Sequence, residues 1–130
     1  MGDKITFNGD IQKSTIGIRS TFTIMTNVGK SVDTIPTDDQ AARAELQHLI
    51  EQLSQVLEKV PESKKDEAEA VAASAQTLVE NAKAEKPNKA LLQISGEGLK
   101  KAAENLAEVT PTVLSIAGQV VMAVMHLRGF

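Results

Sequence analysis

The sequence predicts an α+β protein: a bundle of about four antiparallel helices over residues 37–130, preceded by an N-terminal β-hairpin or β arm over residues 1–36. Three observations carry that prediction. Apolar residues alternate before Pro36, they recur at helical spacing after it, and the composition changes there from Ile, Thr, Ser, Asn and Gly to Ala, Glu, Leu and Lys. With 130 residues and 42% hydrophobic content, the chain has enough apolar material for one structural unit with a core.

In the arm, Ile5 and Phe7 alternate ahead of the turn-type cluster Asn8-Gly9-Asp10, and Gln12-Lys13-Ser14 offers a second turn. Ile16, Ile18, Phe22, Ile24, Thr26 and Val28 then occupy even positions, which predicts one long strand near residues 15–26. A two- or three-stranded ribbon buries little and leaves unpaired backbone groups. It must therefore pack on its own bundle or pair with another chain. The flat, low-charge face Ile16, Ile18, Phe22 and Ile24 suits strand addition.

The bundle opens at Thr37-Asp38-Asp39-Gln40, which reads as a capping box with Thr37 as the cap. Ala42, Leu46, Leu49, Ile50, Leu53, Val56, Leu57 and Val60 mark one face of the first helix, and Pro61 stops it. Ser63 caps a second helix up to Lys86, with an inner stripe of Ala68, Val71, Ala72, Ala75, Leu78, Val79 and Ala82. A third runs from about Asn88 to Glu108, with Leu92, Leu99 and Leu106 inward. Gly96 and Gly98 weaken it by about 1 kcal/mol each. Thr110-Pro111 restarts the chain into a fourth helix ending near Leu127. Such short connections favour antiparallel neighbours, hence two helical hairpins.

Composition narrows the chemistry. There is no Cys, Trp or Tyr, so disulfides, thiolate metal sites and cysteine nucleophiles are excluded. The three Phe residues and a net charge of -3 argue against nucleic acid as a partner. Residues 37–86 carry eleven acidic and six basic side chains, whereas residues 109–127 carry no formal charge. Met1-Gly2-Asp3-Lys4 lacks the apolar run of an export signal, which leads us to expect a cytoplasmic protein. Gly2 with Thr6 matches the formal pattern for myristoylation, though an ordinary polar start accounts for it as well.

The motifs resolve into structural roles. Gly29-Lys30-Ser31 matches the second half of a phosphate-binding loop, but the required upstream glycine is Ile24 and the following residues are β-branched, so a turn after a strand is expected. Gly96-Glu97-Gly98 lacks the third glycine of a dinucleotide fingerprint, since position 101 is Lys101; close helix packing explains it. His48 and His126 are the only imidazoles, and Glu45, Glu51 and Gln52 near His48 suit a solvated face. Glu62, Asp66, Glu67 and Glu69, interleaved with Lys64 and Lys65, complement a helix N-terminus. No catalytic residue, cofactor or metal is expected. The uncharged stretch 109–127 is long enough to reach across a bilayer core, yet Thr110, Thr112, Ser115, Gln119 and His126 break it, as in a core or interface helix.

Ile5-Thr6-Phe7-Asn8-Gly9-Asp10-Ile11, Ser14-Thr15-Ile16-Gly17-Ile18-Arg19-Ser20, Lys86-Pro87-Asn88-Lys89 and the run Ile94–Leu106 carry a resemblance. Together they resemble small bacterial proteins with a Gly/Asn/Ser-rich β start and an Ala-rich helical end, modules that also occur beside signalling or defence effectors. The resemblance implies an interaction module rather than an enzyme. The expected function is self-association into a homo-oligomer or filament by strand pairing and helix packing, with Ile16, Ile18, Phe22, Ile24, Val113, Val120 and Val124 at the assembly interface. The alternatives are a membrane-active effector that inserts its last helix, and a small adaptor for a larger signalling protein.

Overall fold

The alternation that predicts a strand over residues 15–26 gives way to a helix. The computed structural model describes residues 13–130, with side chains from residue 21 onward. Its elements are α1 (Lys13–Val32), α2 (Gln40–Glu58), a 3-10 turn at Glu62–Lys64, α3 (Lys65–Ala82), α4 (Lys89–Leu106) and α5 (Thr112–Leu127). No strand occurs among the described residues. The α+β class with a β arm is thereby corrected to an all-α bundle, and strand pairing through residues 15–26 is removed with it.

A second pattern in the same segment explains the outcome. Thr21, Met25, Val28, Val32 and Ile35 recur at intervals of four, three, four and three, and Met25, Val28, Val32 and Ile35 are all buried. The helical penalty of β-branched residues is only a few tenths of a kcal/mol each. Burying Val or Ile side chains returns about 1.5–3 kcal/mol apiece. These four side chains join the core formed by the rest of the chain, so the boundary expected at Pro36 is a loop between packed helices. The expected strand and turn at residues 5–10, and the Gly2 pattern, lie outside the described residues, as do the side chains of Ile16 and Ile18.

Local signals place the later ends. Asp39, rather than Thr37, is the cap of α2: its Oδ1 accepts from the Ala42 N–H at 2.9 Å, while Thr37 Oγ1 accepts from the Asp39 N–H at 3.1 Å. Gln40 does not reach back; its Oε1 accepts from Arg43 instead. Ser63 falls in the 3-10 turn, and α3 has no side-chain cap. Asn88 caps α4 through the Leu91 N–H. Gly129, at φ 85°, closes α5 in a Schellman motif, with Gly129 N–H bonded to His126 and Phe130 N–H to Met125.

The five helices form a closed ring in the order α1, α2, α5, α4, α3, and back to α1. Consecutive helices alternate in direction. An odd-numbered ring cannot alternate throughout, so one neighbouring pair must run parallel, and that pair is α1 and α3. Ser31 meets Glu80 at one end of the pair, and Thr21 and Ala68 share a cleft near the other. The expected first hairpin is therefore opened: α1 lies between α2 and α3, which do not pack side by side. The second hairpin, α4 with α5, is close. A Cβ built on Gly96 would stand 2.8 Å from Val121 Cγ1, so the glycine sets the distance between those helices.

One end of the ring is pinned by arginines. Arg128 donates from Nη1 to the Pro36 carbonyl, and from Nη2 to the carbonyls of Ala84 at 2.8 Å and Glu85 at 3.3 Å. A single side chain thus joins the α1–α2 loop, the α3–α4 loop and the end of α5. Arg43 Nη2 donates to the Ile35 carbonyl at 2.6 Å, and Gln47 Nε2 to the Gly29 carbonyl and Asp33 Oδ1.

Candidate functional site

The most distinctive surface runs along the seam between α1 and α2. Because α1 spreads α2 from α3, the far end of the seam opens into a cleft of about 460 Å³. Thr21 and Phe22 of α1, Ser54 and Leu57 of α2, Val60, and Ala68 of α3 line it; Glu58 and Lys65 are its charged groups. Phe22 is 59% exposed, although a phenylalanine gains most by burial. A second hollow of about 510 Å³ continues along the seam beside Met25, Gly29, Gln47, His48 and Glu51, and Ser54 belongs to both. The result is an apolar pocket at one end of a more polar trough.

The trough's polar side belongs to α2. Glu51 and Glu58 have no ion-pair partner among the described residues, where the one ion pair joins Glu80 to Lys83. His48 lies 3.0 Å from Gln52 through its Nε2, and both it and Glu51 are exposed. No group of three or more potential metal ligands occurs among the described residues.

The residues expected at an assembly interface are dispersed. Phe22 stands at the mouth of the cleft, and Ile24 is partly buried against the core. Val113, Val120 and Val124 are fully buried within the bundle's own centre, and the uncharged α5 supplies core rather than a free face there. Among the described residues no helix is long and apolar enough to cross a membrane. The sequence reading missed Ser54, Leu57, Val60 and Ala68 as partners of Phe22. Their signal was the helical register of α1, which the two-residue alternation masked.

Gly29-Lys30-Ser31 lies in the last turns of α1, not at a helix N-terminus, so its backbone N–H groups face no anion. Ser31 Oγ instead donates to Glu80 Oε2 at 2.9 Å and ties α1 to α3. In Gly96-Glu97-Gly98, Gly96 has the close-packing role expected of it, whereas a Cβ at Gly98 would meet nothing within 4 Å.

No family model matches the chain, and neither a curated protein nor a solved structure matches it.

Proposed function

We propose that this chain is a non-enzymatic interaction module that binds an amphipathic helix of a protein partner along the α1–α2 seam. The observation that carries the reading is Phe22, 59% exposed at the mouth of the apolar cleft. Helix-in-groove recognition needs an apolar pocket for an anchoring side chain and a flank that fixes orientation. Leu57, Val60 and Ala68 supply the pocket, and the unpaired Glu51 and Glu58 favour a helix that carries basic residues beside its apolar stripe.

Fluorescence anisotropy with two labelled helical peptides tests this, one with a leucine stripe flanked by lysines, the other with the same stripe flanked by glutamates. The lysine peptide should bind saturably and more tightly. Phe22→Glu should weaken it by about tenfold or more, as expected for an anchoring aromatic. Equal binding of both peptides, or no effect of Phe22→Glu, would refute the reading.

A further inference from the structure

On the opposite side of the ring, α4 carries a stripe that matches the groove. Leu91, Ile94, Gly98, Lys101 and Asn105 are spaced three, four, three and four residues apart, and all five are exposed. Leu91 is 49% and Ile94 68% exposed, so two large apolar side chains sit in water one turn apart. Gly98 stands on the same stripe with open space around it. A glycine inside a helix costs about 1 kcal/mol relative to Ala. No contact among the described residues accounts for Gly98, whereas the approach of another backbone would. The charges are complementary: α4 bears three lysines against two glutamates, and α2 bears three glutamates against one arginine.

We infer that the helix bound in the α1–α2 groove is α4 of a second copy of this chain. The inference rests on the groove reading above. Ile94 enters the cleft beside Phe22, Gly98 lets the two molecules approach, and Lys101, two turns further along, faces the carboxylate of Glu51 in the trough. In the ring, α4 packs on α3 and α5 and lies across from the α1–α2 seam. A molecule therefore cannot satisfy its own groove. Groove and stripe are different surfaces, so the contact is heterologous and repeats head to tail instead of closing as a two-fold dimer.

The test is the mass of the full chain in solution by multi-angle light scattering across a concentration series. The wild-type mass should rise with concentration. Ile94→Glu and Phe22→Glu, both at exposed positions, should each remain monomeric with unchanged far-UV circular dichroism. Mixed in equal amounts, they should form a one-to-one dimer and nothing larger, because one intact groove and one intact stripe remain between them. A wild type that stays monomeric, variants that still assemble singly, or a mixture that fails to dimerise would overturn the inference. If self-association fails while the lysine peptide still binds in a Phe22-dependent way, only the second copy is wrong. If the peptide fails as well, the groove reading falls with it.

Discussion

The two ends of the bundle are built on different principles. At one end, Arg128, Arg43, Gln47 and Ser31 join loops and helices distant in sequence through side-chain hydrogen bonds. At the other, the α2–α3 turn and the first half of α3 spread around an apolar cleft with Phe22 at its mouth. Loops gather at the pinned end because α1, α3 and α5 finish there while α2 and α4 begin. Backbone carbonyls left over at helix ends become acceptors for the guanidinium donors. At the other end the cleft leaves Phe22 59% exposed. Cross-linking hydrogen bonds and the proposed docking cleft thus lie at different ends of the bundle.

Breaking the pinned end should have the largest effect. Arg128→Ala removes donors to three carbonyls on two loops. Hydrogen bonds from charged groups contribute about 1.5–3 kcal/mol when made singly, and they do not add. Nε of Arg128 is buried without a partner, which offsets part of the gain. The expected loss is about 2–3 kcal/mol in urea denaturation. Arg128→Lys should recover only a fraction, since one ammonium cannot reach both loops as a planar fork does. Phe22→Ser at the open end should change stability by about 0.5 kcal/mol or less. Equal losses at the two ends would remove the distinction between them.

A smaller effect separates internal packing from free surface on α4 itself. Gly96→Ala places a methyl 2.8 Å from Val121 Cγ1, and the stiff, β-branched Val121 cannot rotate clear without moving its helix. The packing cost of about 1–3 kcal/mol outweighs the gain of about 1 kcal/mol in helix propensity, so the midpoint should fall. Gly98→Ala meets nothing and should raise stability by about 0.5–1 kcal/mol. Thermal melts of the two variants at low protein concentration should therefore move in opposite directions.

How much of this was legible depended on how each segment is buried. The stripe Ala68, Val71, Ala72, Ala75, Leu78, Val79 and Ala82, predicted as the inner face of a helix, is the buried face of α3 without exception. Its small residues are good helix formers and its pattern has one period. The segment 15–35 supports two periods at once, and β-branched residues tip a reading of local preference toward a strand. The register through Met25, Val28, Val32 and Ile35 prevails because α1 fills the space between α2 and α3. That space was itself invisible in the sequence, since a short connection argues that α2 and α3 touch. The groove was hidden for the same reason: Phe22 and Ala68 line one cleft only when α1 separates the two helices.

The smallest effect concerns Glu80, at the edge of the pinned end. The Ser31 hydroxyl, and after it Lys83, hold its carboxyl below the ordinary glutamate value of 4.5. A carboxyl lowered in the folded state binds its proton more readily when the chain is unfolded. Its contribution is therefore complete above the unfolded value and is lost as pH falls through the folded one. Glu80 is nearly half exposed, so solvent screens the interaction strongly. Ser31→Ala removes the largest cause and leaves the Lys83 pair at 3.2 Å. At neutral pH the variant should melt less than about 2 °C below wild type. That gap should narrow as the pH drops below the glutamate range. A constant gap down to strong acid would mean that Ser31 holds α1 to α3 by packing alone, and that the pinned end owes nothing to this carboxylate.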